Sequence, residues 1–243
     1  MSEEVELADA DAEYPYPKDA WMNHVLPFFA WIFFFNILGD PAGWKYALRS
    51  VICLAVFCYY KPWQWYPRLN LKNVPMALLI GTLVFGFWVL FETDYMSKYE
   101  WLHRGYLTIG TQPPWKISPP TVEMYYAPET CGWLFTITRL LGSALVISFI
   151  EEFFWRGWMY RWAIDEKFLR VDLGQYDKLM FIFIAMLFGL IHHRWLVGVI
   201  CGICYGAFIL RTKDVWAAGI AHAFTNFLLG VYVLMAEKYE FWS

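Results

Sequence analysis

Val215-Trp-Ala-Ala-Gly-Ile-Ala-His222-Ala-Phe-Thr-Asn226-Phe-Leu-Leu-Gly-Val-Tyr-Val-Leu-Met-Ala236 is an apolar run without an acidic residue, lysine or arginine. As a helix rising 1.5 Å per residue, a run of this length reaches ~33 Å, enough to cross a hydrocarbon core of about 30 Å. In that solvent every backbone polar group must be satisfied internally, so only helices or closed barrels span it, and a run this long reads as a helix. His222 and Asn226 are four positions apart and share one face of that helix.

Six further apolar runs precede it, at residues 21–38, 45–60, 74–91, 132–163, 179–193 and 196–210. The second is short and carries Arg49. Residues 92–130 are polar, with Pro113, Pro114, Pro119 and Pro120, and read as a loop on the membrane surface in which an eighth span has room. The expected fold is an all-α polytopic membrane bundle of about seven to eight transmembrane helices. Composition agrees: hydrophobic residues are 59% and charged residues 17% of the 243, against roughly 45–50% and 25% in soluble domains. A soluble fold would have to expose much of that apolar surface to water.

Residues 1–20 hold seven acids and one lysine, Lys18. A secretion signal needs a positive start, so this segment reads as an acidic tail, with residues 21–243 as one multi-pass domain. A formal charge of −3 gives no basic patch for nucleic acid, and no nucleic-acid partner is expected. The lipid bilayer is the expected surrounding. Lys61, Arg68, Lys72, Arg161, Lys167, Arg170, Lys178, Arg211 and Lys213 fall on one side of the predicted bundle, which the positive-inside rule makes cytoplasmic. Cys201 and Cys204 form a Cys-x-x-Cys inside an apolar run and read as small residues at a helix interface.

Ionisable groups inside spans are costly and therefore point to function. Here they gather in the C-terminal half: Arg139, Glu151, Glu152, Arg156, His192, His193 and His222, with the amide of Asn226. Glu152 and Arg156 stand at i and i+4 and can pair, while Glu151 points about 100° away. An acid left free in a low dielectric suits a general base. A purely structural reading stays open, in which both acids neutralise Arg156 and Arg139. His192 can equally be an interfacial residue ending a span, and His222 with Asn226 a polar clamp between helices. By helical rise the three groups fall at overlapping depths and can converge on one pocket among spans four, five and seven, with span six behind it. Spans one to three and the proline-rich loop would shape substrate access.

Glu151-Glu152-x-x-x-Arg156, Phe188-x-x-x-His192 and His222-x-x-x-Asn226, in that order on successive apolar segments, resemble the signature of the CPBP family. It comprises CAAX-processing prenyl endopeptidases of the Ras-converting type and bacterial proteins linked to bacteriocin self-immunity. The resemblance covers residues 140–234. It implies a metal-free, cofactor-free glutamic intramembrane endopeptidase in the cell membrane, acting on a membrane-anchored protein or peptide. Glu151 would activate water with His192, Glu152 and Arg156 would support it, and His222 and Asn226 would stabilise the oxyanion. The aromatic N-terminal half is similar to a bacterial CAAX-protease-related subgroup associated with exosortase sorting systems, which implies a sorting-system partner.

Two other readings remain. Glu151, His192 and His222 could act as three ligands of a catalytic zinc, although no His-Glu-x-x-His pair is present. A non-catalytic membrane partner or immunity factor would use the same cluster structurally.

Overall fold

The computed structural model describes residues 17, 19–39, 41–111 and 124–242. Most of the expected acidic tail, and the four prolines of the long loop, lie outside the described residues. Among those described there are helices and turns and no strand.

All seven apolar runs are helical: α1 (Ala20–Ile37), α2 (Gly43–Tyr60), α3 (Val74–Leu90), α4 (Pro128–Ile164), α5 (Lys178–Leu190), α6 (Trp195–Thr212) and α7 (Val215–Ala236). Five are long and apolar enough to cross a membrane: α1, α3 with its leading turn from Leu71, α4, α6 and α7. The other two fall short for different reasons. Helix α5 has only 13 residues, and α2 has 18 but carries Lys45 and Arg49 in its first half. The described part of the long loop holds short helices at Asp94–Ser97, Glu100–Gly105 and Tyr106–Gly110, none of spanning length.

Small residues set the closest approaches. A Cβ on Gly202 of α6 would lie 3.0 Å from the backbone of Ala185 on α5, and one on Gly198 would lie 2.9 Å from Gly189. Helices meet this closely in membranes because small side chains let backbones touch. Cys201 is buried at the same level, and Cys204 is half-buried. On the other flank, Gly81 of α3 lies against the Ala221 carbonyl of α7, where a Cβ would come within 2.6 Å. Asp177 and Asp214 cap α5 and α7, each accepting a backbone N–H from three residues on.

Helix α4 departs from regular winding on both sides of Glu151 and Glu152. Gly132 breaks it with φ 78°. Beyond that, Gly142–Ile147 and Phe153–Met159 are wound as wider π turns, with the α-helical Ser148–Glu152 between them. Such turns rotate everything beyond them relative to a straight helix and recur at functional sites. The Ser148 hydroxyl donates to the Ser143 carbonyl five residues back, at 2.8 Å, spanning one of the wide turns.

Candidate active site

Glu152 is fully buried, and its Oε1 takes two donors. The Arg156 guanidinium reaches it at 2.9 Å, one helical turn away on α4. His222 of α7 reaches it through Nδ1 at 3.0 Å. A carboxylate oxygen accepts, so the His222 Nδ1–H donates to it and Nε2 turns the other way. That nitrogen lies 3.9 Å from Oε2 of Glu151, an oxygen that is buried and has no hydrogen-bond partner. One acid therefore orients the imidazole and the other faces its second nitrogen.

Aromatic walls fix the pair. The Tyr205 ring of α6 stacks on His222 with centroids 5.0 Å apart. Its hydroxyl donates to Thr225 at 2.7 Å, and Thr225 donates to the Gly81 carbonyl at 2.9 Å, so α6, α7 and α3 are tied at one level. Arg156 lies 4.3 Å above the Phe188 ring and donates to the Gly202 carbonyl at 3.3 Å.

His192 stands on the turn just past α5 rather than on the helix, because the helix ends at Leu190. Its Nδ1–H donates to the Phe188 carbonyl at 2.7 Å, leaving Nε2 free. The turn is fastened by Arg194, which grips Glu92 through Nε at 2.5 Å and Nη2 at 2.8 Å and donates to the Glu240 carbonyl at 3.1 Å.

The Asn226 amide is held by α4. Its amide nitrogen donates to the Ser143 carbonyl at 2.9 Å and to the Ser148 hydroxyl at 3.0 Å. Both N–H groups are therefore spent on α4, and in this conformation neither is free for an oxyanion. The cause is the wide turn of α4, which brings these two oxygens to one place.

Glu151, His192, His222 and Asn226 border one cavity of about 660 Å³, while Glu152 and Arg156 lie behind its wall. Span six is part of the wall rather than behind it, since Cys201 and Tyr205 border the cavity too. Helices α1 to α3 contribute Phe28, Trp31, Tyr46, Arg49 and Trp88. Arg139 does not pair with either glutamate. It lies 4.5 Å over the Tyr46 ring and donates to the Tyr46 hydroxyl at 3.3 Å. Tyr205, Ser143, Ser148 and the Glu92–Arg194 pair were not singled out from the sequence. Only Arg194, charged and beside His193, gave a signal. Among the described residues, no three His, Cys, Asp or Glu side chains are gathered closely enough to hold a metal ion.

Residues 133–228 match the family model described as type II CAAX prenyl endopeptidase Rce1-like. Neither the curated proteins nor the solved structures contain a match to the chain. The matched residues run from the start of α4 into α7 and include every group of the cluster, so the likeness to the Rce1-like type II CAAX prenyl endopeptidases falls on the part of the chain that carries the candidate site.

Proposed function

We propose that the chain, a multi-pass membrane protein, is an intramembrane endopeptidase that cuts a peptide bond near the membrane-anchored end of a protein substrate. The carrying observation is Glu151 Oε2, buried without a hydrogen-bond partner, beside the Nε2 nitrogen of a histidine oriented by a second acid. A carboxylate with no competing donor is available to take a proton from water. The family match supports the reaction class.

In the proposed reaction Glu151 takes a proton from a water whose oxygen attacks the scissile carbonyl carbon. His192 holds the same water through its free Nε2. The developing oxyanion accepts a hydrogen bond from His222 when Nε2 carries a proton, with Glu152 and Arg156 fixing the ring from behind. The C–N bond then breaks, and the leaving amine takes the proton back from Glu151. Asn226 joins the oxyanion site after releasing one of its two bonds to α4. The reaction uses no metal, the protein sits in the cell membrane, residues 21–243 act as one domain, and its partner is a membrane-anchored protein or peptide.

The test begins in cells. Terminal-peptide mass spectrometry of membranes from cells with and without the protein identifies termini that depend on it. Wild-type protein restores them and Glu151→Gln does not. Restoration by Glu151→Gln would remove the proposed base. Activity that is lost on chelation and regained with zinc would revive the zinc reading.

A further inference from the structure

A groove of about 230 Å³ opens beside the main cavity where α1 ends and α2 begins, and the two share Phe35, Tyr46, Arg49 and Tyr126. Phe35 and Ile37 of α1 and Trp44 of α2 are exposed around it, so its mouth lies among side chains that face lipid. Arg49 stands where groove and cavity meet and is only 8% exposed. Arg139 of α4 borders the cavity on the other side of Tyr46. The Nε atoms of both arginines are buried without a hydrogen-bond partner. Neither arginine forms an ion pair among the described residues. Their neighbours are rings: Trp31 lies 4.0 Å and Tyr46 4.9 Å from the Arg49 guanidinium carbon, and the same Tyr46 ring lies 4.5 Å from that of Arg139. Ring faces offset part of the cost of placing two cations in a membrane bundle, but they leave the planar N–H forks largely unused.

No acid borders the groove among the described residues. Lys45 borders it as well, four positions before Arg49 and on the same face of α2, so positive side chains line the way in. The depth suits a lipid headgroup. Arg49 is six positions past Gly43, the first residue of α2, which is ~9 Å by helical rise. Helical side chains lean toward the N-terminal end, so the guanidinium is carried back toward the membrane face at which α2 begins. A headgroup region about 5–7 Å deep lies outside the hydrocarbon core on each side, and a phosphate there comes within the reach of a long side chain. Phosphate oxygens match guanidinium forks two at a time. The Tyr46 hydroxyl accepts from Arg139 Nη1 at 3.3 Å and keeps its own O–H to donate to the same anion.

We propose that Arg49 and Arg139 bind the phosphate of an anionic phospholipid, whose headgroup enters through the groove and whose acyl chains lie against the exposed rings of α1. The lipid explains why two arginines are tolerated without an acid beside them: its phosphate is their counterion, and it ties α2 to α4. Inorganic phosphate offers the same oxygens, but a mouth set among lipid-facing side chains favours the form that carries chains. The site needs only a bundle seated in a bilayer and stands apart from the endopeptidase reading.

The experiment is native mass spectrometry of the full chain released from detergent and titrated with dioleoylphosphatidylglycerol or with dioleoylglycerol, which has the same chains and no phosphate. The phospholipid is expected to bind at least about tenfold more tightly. Arg49→Gln or Arg139→Gln brings the two lipids to within about twofold of each other, and Arg139→Lys, which keeps the charge and loses the fork, gives an intermediate preference. Tyr46→Phe keeps the shared ring, loses the hydroxyl and lowers the preference about two- to tenfold. The phospholipid also raises the thermal midpoint of the unsubstituted protein more than dioleoylglycerol does, which covers the case in which an arginine variant does not fold. Equal binding of the two lipids, no binding of either, or a preference that survives both glutamine substitutions would overturn the site. Displacement of the phospholipid by an excess of inorganic phosphate would overturn the lipid assignment and leave a site for the free anion. These readouts are independent of cleavage, so failure here leaves the assignment of Glu151 standing.

Discussion

Glu151 and Glu152 are neighbours in sequence with opposite consequences for stability. Glu152 neutralises Arg156 and holds His222. Glu152→Gln leaves a buried arginine without its partner, a loss of about 3–5 kcal/mol, and the thermal midpoint should fall by many degrees. Glu151→Gln removes an acid whose buried oxygen has no partner. Its midpoint should equal or exceed that of the wild type, measured in the same detergent. Tyr205→Phe keeps the ring stacked on His222 and loses one buried hydrogen bond to Thr225. It should cost about 1 kcal/mol, read in the same melt, with most of the activity retained. Much of this cluster is legible in the residues alone. Glutamate and arginine four apart on a helix predict contact, and the structure places them together. The partner of His222 is not legible, because whether it meets Glu151 or Glu152 depends on how α7 is rotated against α4. The commitment of Asn226 to Ser143 and Ser148 is equally hidden, since it follows from a π turn that no residue type announces.

Helices are set by their closest contacts and their ends. At Gly202 a leucine would drive side-chain carbons into the Ala185 backbone. Gly202→Leu should therefore separate α5 from α6 and abolish the folded protein, read as loss of a monodisperse species after detergent extraction. The turn carrying His192 is held by Arg194 on Glu92. Arg194→Ala removes a partly buried two-pronged ion pair and should cost about 2 kcal/mol or more while loosening His192. Activity should fall further than the melt alone explains, shown by comparing the two at a temperature where both proteins are folded. The order and approximate limits of the helices are plain from hydropathy. The end of α5 is not. The apolar run continues to Ile191, and the histidines beyond it could extend the helix or leave it. The Arg194–Glu92 bond, across 102 positions, decides the matter.

Over the whole molecule, apolar side chains cover much of the surface. Trp133, Leu134, Ile137, Leu141 and Leu145 form an exposed stripe on α4, and Met76, Leu79, Leu83 and Phe87 one on α3. In water such surface would drive aggregation, whereas lipid tails are as apolar as leucine and accept it. Polarity is turned inward instead, onto a cavity with Glu151 on its wall and arginines elsewhere. That inversion was legible from composition. The share of the first three helices in the cavity was not, because Arg49 shares its run only with Lys45 and nothing local marks Arg139 as its neighbour.

The proposal turns on whether Glu151 does chemistry. The most direct measurement is the cleavage rate of purified Glu151→Gln against wild type, on a substrate identified by its altered terminus, with thermal melts run in parallel. Loss of the base should lower the rate by at least about 10²–10⁴-fold while the melt is unchanged or improved. A variant that folds and cleaves within about tenfold of wild type would contradict the mechanism and leave the cluster as a structural clamp.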